Sequence, residues 1–148
     1  MGEDRNLDDI TGEIIHAAYK LHVGLGLGLL ESVYEMVLAR DLARRGLHIA
    51  RQTAVSFDYD GLHFDDALRV DLLVESRVVV EIKSIEKLLP VHPKQLLTYL
   101  RLLNLPVGLL INFGAPRLKD GLQRIVNGLR PTASPRLRVN QRTAEKSA

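Results

Sequence analysis

Residues 70–84 read VDLLVESRVVVEIKS. The valines and leucines belong in a buried sheet, yet the stretch keeps Asp71, Glu81 and Lys83. An unpaired charge inside a sheet is strongly unfavourable, so each needs a partner, a metal ion or a shifted pKa. Side chains alternate faces along a strand. Asp71 therefore falls with Leu73 and Glu75, opposite Val70, Leu72 and Val74. Glu81 falls with Val79 and Lys83, opposite Val78, Val80 and Ile82. A hairpin with a three-residue loop at Glu75–Arg77 sets Asp71 against Glu81 and Arg69 against Lys83. Directly opposed residues lie about 5 Å apart at Cβ. Two carboxylates that close repel each other, so one keeps a proton or a divalent cation sits between them.

Outward from this hairpin, residues 47–58 carry strand formers, and DYDG at 58–61 marks a turn with Gly61 in the left-handed region. Upstream, residues 8–22 repeat Ile10, Ile14, Ala17, Ala18 and Leu21 at helical steps, with Asp8, Asp9 or Thr11 as the cap. VGLGLG then breaks the helix. A second helix is expected from Leu29 to about Arg45, stopping near Gly46. Its buried stripe is Leu30, Val33, Tyr34, Val37, Leu38 and Leu42, with Glu31 on the face of Tyr34, Glu35 and Leu38. Downstream, residues 92–103 predict a helix with Pro93 in its first turn and His92 as a cap. VGLLINF at 107–113 predicts a buried strand, and residues 117–127 a last helix. The expected order is α-α-β-β-β-β-α-β-α. The fold class is α/β, with a mixed, mostly antiparallel central sheet flanked by helices.

The chain has 148 residues and no cysteine, which predicts one domain and excludes disulfides and cysteine-based zinc or nucleophile sites. The domain is expected over residues 1–129, with a basic, disordered tail at 130–148. From Arg117 onward eight Lys/Arg face two Asp/Glu, a net of +6, which leaves −4 for the rest of a chain whose total is +2. Such an end attracts phosphate backbones or simply keeps the chain soluble. The start is polar and no apolar run approaches the ~20 residues of a bilayer span. A cytoplasmic protein without a membrane partner is expected. GLGLG at 24–28 follows a helix rather than a strand and lacks the spacing of a dinucleotide site.

Asp71 followed by Glu81-Ile82-Lys83 resembles the signature of the PD-(D/E)XK nuclease superfamily, although Val70 stands where the name has proline. Gln95 and Tyr99 resemble the QxxxY motif of the RecB-like branch, and Glu31 its upstream acidic residue. Gly28-Leu-Leu-Glu31-Ser-Val-Tyr34 resembles the motif of the bacterial GxxExxY family, as do EKLLPVHPKQLLTYLRL and GLLINFGAPRLKDG. The resemblance runs over about residues 7–128 and implies a PD-(D/E)XK core and hydrolysis of phosphodiester bonds in nucleic acid, DNA ahead of RNA. It implies Mg²⁺ or Mn²⁺ on Asp71, Glu81 and the Ile82 carbonyl, with Glu31 reaching a metal through water. Lys83 would orient the attacking water, and Gln95 and Tyr99 would contact the phosphate or brace Lys83.

Structural roles compete with each of these. Asp71 can pair with Arg69 or Lys83, Lys83 can be an exposed strand-end charge, and Glu31 can sit in a first turn favoured by the helix dipole. Tyr34 and Tyr99 can be core aromatics with bonded hydroxyls, and Gln95 plain surface. The competing function is a catalytically inactive module of the same fold that binds nucleic acid or a protein, as a homodimer in one version. Metal binding separates the two.

Overall fold

A computed structural model describes residues 5–128 and 138–140. The first helix outruns its expected ends: α1 spans Leu7–Leu25, with Gly24 inside it, and the chain turns only at Gly26, φ 78°. Its cap is none of the three expected residues. Asn6 accepts from the Asp9 N–H at 2.8 Å and holds the first turn. The second helix, α2, spans Glu31–Arg44 and buries Tyr34, Glu35, Leu38, Ala39 and Leu42. Leu30 and Val33, expected in its buried stripe, are exposed, because the helix begins at Glu31 and its first turn overhangs the sheet.

The strands are β1 (Ile49–Tyr59), β2 (Leu62–Val74), β3 (Val78–Lys83), β4 (Val107–Asn112), β5 (Leu122–Val126) and the short β6 (Arg138–Asn140). The third helix, α3, spans Val91–Leu103 and links β3 to β4. The sheet order is β5-β4-β3-β2-β1-β6. Only β3 and β4 run parallel, joined by the α3 crossover; the other neighbours are antiparallel. The expected mixed α/β architecture is therefore present, with two corrections to its elements. Residues 62–74 form one continuous strand, so three strands rather than four precede α3. The last helix is absent: a 3₁₀ turn at Leu118–Gly121 leads into β5. Leu118, Leu122 and Ile125 have helical spacing, but pairing with β4 satisfies the backbone and lets Ile125 pack under α3.

The hairpin register is the expected one: Leu72 pairs with Val80, Leu73 with Val79 and Val74 with Val78. Both hairpin turns use left-handed residues, Asp60 and Gly61 between β1 and β2, Glu75 and Ser76 between β2 and β3. Such primed turns match the twist of paired strands. β6 lies antiparallel to β1 at Ser56–Asp58, so these three residues are strand rather than the irregular tail expected from residue 130. The rest of that expected tail lies outside the described residues.

Two apolar layers cover the sheet. Leu72, Val74, Val78, Val80, Ile82, Leu109 and Ile111 pack with α1 and α2, and Tyr34 stacks on Phe113 there at 4.5 Å. Val55, Val70, Val79 and Leu110 pack with α3 through Leu96, Leu100 and Leu103. Strict alternation would put Val70 beside Leu72 and Val74; instead it lies in the opposite layer. The same exchange occurs in β1, where Ile49 packs toward α1 and α2 but Val55 toward α3. Both strands thus rotate out of phase between these residues, around Gln52 and Asp71. Gln52 supplies the irregularity, with φ 49° in mid-strand.

Candidate active site

The rotation at Asp71 breaks the ladder between β2 and β3 and replaces it with side chains. The backbone pairs end at Leu72 and Val80. Beyond them, the Asp71 N–H donates to Glu81 Oε2 at 3.1 Å, and the Ile82 N–H donates to Asp71 Oδ2 at 2.8 Å. Each carboxylate therefore accepts from the other's strand, and the two acids interlock where ordinary strands would exchange carbonyls. In an extended strand the N–H and C=O of one residue point toward the same neighbour. The Ile82 carbonyl is thus directed toward β2, as its N–H is. The expected opposition of Asp71 and Glu81 is present, although as a side-chain interlock rather than a backbone pair.

Burial and the Asp71 charge push the Glu81 carboxyl up from its usual 4.5 to about 8. Glu31 adds a smaller push in the same direction, whereas Lys83 and the Asp71 N–H favour the ionised form. Glu31 and Lys83 thus both act electrostatically on Glu81. Neither Asp71 nor Glu81 is in an ion pair among the described residues. Arg69, one candidate partner of Asp71, instead donates to the Gln52 carbonyl at 3.2 Å.

Lys83 ends β3, and the chain beyond it is pinned from β4. The Phe113 N–H donates to the Lys83 carbonyl at 2.8 Å. Buried Asn112 accepts from the Ile85 and Gly114 N–H groups, both at 3.0 Å, and donates to the Ile85 carbonyl at 2.9 Å. Gly114 is required at this crossing, because a Cβ there would lie 2.2 Å from the Ile85 oxygen. These contacts fix the exit of β3 and hence the root of Lys83.

The glycine-rich loop brings α2 to the same end of the sheet. Buried Tyr34 donates its hydroxyl to the Gly26 carbonyl at 2.7 Å and accepts from the Leu29 N–H at 3.2 Å. Ser84 Oγ donates to the Leu29 carbonyl at 2.6 Å. Gly28, Leu29, Leu30, Glu31, Ser32 and Ser84 line a solvent-open pocket of about 530 Å³. Glu31 is thus carried to the mouth of the hairpin as an exposed first-turn residue.

Tyr99 packs beside the α3-side core, and its hydroxyl is pushed up by burial and by the charges of Glu81 and Asp71. Gln95 lies one turn earlier on α3, exposed. His92 is not the cap expected of it: α3 begins at Val91 behind Pro90 with no side-chain cap, and the His92 ring accepts from the Leu89 N–H at 3.0 Å in the preceding loop. The structure gathers Asp71, Glu81, Ile82, Lys83 and Tyr99, brings Glu31 within electrostatic reach, and leaves Gln95 at the rim.

Four neighbours escape sequence reasoning: Gln52, Glu35, Ser84 and Asn112. Gln52 Nε2 donates to Asp71 Oδ1 at 3.2 Å and to Glu35 Oε1 at 2.8 Å. Glu35 is buried and also accepts from Arg51 Nε at 3.1 Å. Glu31, the residue the GxxExxY resemblance marks, shares the helical face of Glu35. Only the helix start shows that the later residue is the one turned into the sheet.

The donor set fits a hard divalent cation. It offers two apposed carboxylates with no ion-pair partner among the described residues, and a carbonyl directed between their strands. Among the described residues no group of three His, Asp or Glu side chains converges on one point. Two carboxylates and a carbonyl are oxygen ligands of the kind a hard divalent cation takes. A sequence model of the PD-(D/E)XK nuclease superfamily matches residues 8–125, which include Asp71, Glu81, Lys83, Gln95 and Tyr99. No curated protein and no solved structure gives a significant match. No helix among the described residues is long and apolar enough to cross a membrane.

Proposed function

This chain belongs to the PD-(D/E)XK nuclease superfamily, and we propose that it is a metal-dependent nuclease that hydrolyses phosphodiester bonds of DNA, with RNA the second substrate class. The observation that carries this is the Asp71–Glu81 interlock, two carboxylates held together at a sheet opening with no cationic side chain among the described residues paired to them. Asp71, Glu81 and the Ile82 carbonyl would hold Mg²⁺ or Mn²⁺. Such an ion supplies a nucleophilic water at neutral pH and offsets charge on the scissile phosphate.

The chain's own residues do the rest. Asp71 fixes Glu81 by its backbone N–H, and Ile82 fixes Asp71 in return, so both acids are preorganised. Lys83 presents an ammonium group that orients the attacking water and steadies charge developing on phosphate oxygens. Tyr99, kept protonated by its neighbours, donates to a phosphate oxygen, and Gln95 adds a second donor at the rim. Glu31 contacts the reacting assembly through water. The GxxExxY motif acts through Tyr34, which locks the 26–29 loop and sets where α2 begins. The basic C-terminal segment contributes phosphate attraction.

Calorimetric titration of Mn²⁺ at pH 7.5 tests this reading. The wild-type protein should bind the ion and Asp71→Ala should not. Metal-independent DNA binding by a protein that takes up no Mn²⁺ would favour the inactive module instead.

A further inference from the structure

We infer that Gln52, anchored by Glu35, is a positioning residue for Asp71 and that this pair sets the metal affinity of the site. The inference rests on the metal-dependent reading of Asp71 and Glu81. An amide nitrogen has two hydrogens. One of those on Gln52 Nε2 goes to Glu35 Oε1 at 2.8 Å and the other to Asp71 Oδ1 at 3.2 Å. Glu35 is held in turn by Arg51 and buried by α2. The amide therefore ties a carboxylate on the α2 side of the sheet to one at the β2–β3 opening.

Asp71 Oδ2 is already engaged by the Ile82 N–H. With Oδ1 held by Gln52, the carboxylate cannot rotate about χ2, and its remaining lone pairs keep one direction. Without the amide, Asp71 would be held by the Ile82 N–H alone and free to turn about χ2 on that single contact. Gln52 prevents that turn. A second, independent observation concerns the backbone. Gln52 sits in the left-handed region in the middle of a strand, where glycine would be the unstrained residue. Its carbonyl is held by Arg69. A non-glycine residue held at such a point carries backbone strain, which the side-chain bonds to Glu35 and Asp71 offset.

Three variants test this: Gln52→Gly, which relieves the backbone and removes the amide; Gln52→Met, which keeps the length without a donor; and Gln52→Gly combined with Glu35→Ala. Mn²⁺ affinity is read by calorimetry, and thermal unfolding is followed in EDTA. Both Gln52 variants should bind Mn²⁺ about 10–100-fold more weakly, the usual loss for an outer-shell partner of a ligand. Gln52→Gly should unfold no earlier than wild type. Glu35→Ala combined with Gln52→Gly should bind no more weakly than Gln52→Gly alone, because Glu35 acts through the amide. If wild type binds Mn²⁺ and both folded Gln52 variants bind it equally well, the positioning role is overturned and the nuclease reading stands. If wild type binds no Mn²⁺, both are overturned.

Discussion

Replacing Glu81 by glutamine should stabilise the metal-free protein, and only on the alkaline side. Burial and Asp71 hold the Glu81 carboxyl near 8 in the folded protein, against 4.5 ordinarily. Between those values the folded chain keeps a proton that the unfolded chain has lost. Stability from this group is complete below about pH 4.5, falls through the window, and is gone above about pH 8. Each pKa unit corresponds to about 1.4 kcal/mol, so the loss across the window is on the order of 3–5 kcal/mol. Glu81→Gln keeps an acceptor for the Asp71 N–H and carries no charge, so it does not suffer that loss. Urea unfolding in EDTA at pH 5 and pH 8.5 measures it. The two proteins should be similar at pH 5, and the variant about 3–5 kcal/mol more stable at pH 8.5. His63, raised by its hydrogen bonds to Asp58 and Asp65, titrates in both proteins and cancels in the difference. Mn²⁺ added at pH 8.5 should stabilise wild type and leave the variant unchanged. A variant less stable than wild type at pH 8.5 would refute the claim that uncompensated charge is stored at this position.

Lys83 pairs with no carboxylate among the described residues, so Lys83→Ala should melt like wild type, keep Mn²⁺ binding, and lose about 10²–10⁴-fold in cleavage; a fall in melting temperature with unchanged cleavage would make it a structural charge. Asn112→Ala breaks three buried hydrogen bonds at the exit of β3 and should cost about 2–4 kcal/mol in chemical denaturation; a near-zero cost would show that the Ile85 crossing is held by packing alone. Deleting residues 130–148 should weaken nucleic-acid binding and flatten its dependence on salt, since fewer counterions are released. An unchanged salt slope would make the segment a bystander.

The hairpin was legible because two valine-rich runs leave only one register in which both bury their apolar faces and the charges coincide. Asp71, Glu81 and Lys83 followed from that register. The rotation of β1 and β2 was not legible, because ARQTAV carries no glycine or proline to mark a left-handed residue at Gln52. With Gln52 went its bridge to Glu35. A helical face bearing both Glu31 and Glu35 does not say which carboxylate meets the sheet; the helix start at Glu31 decides it. β5 was misread for a related reason. An edge strand needs only two inward residues, and Leu122 and Ile125 happen to stand one helical turn apart. Asn112 could not be picked out, since its role depends on how closely Gly114 lets two loops approach.

The proposed nuclease role requires that the interlocked carboxylates hold a cation that drives phosphodiester hydrolysis. Cleavage of supercoiled and single-stranded DNA, with Mn²⁺ or with EDTA, tests it most directly when wild type and Asp71→Ala are compared on preparations of matched thermal stability. Cleavage should require Mn²⁺ and vanish with Asp71→Ala. Cleavage that persists in EDTA or in the Asp71→Ala protein, or a Mn²⁺-loaded wild type that cuts neither substrate nor RNA, would contradict it.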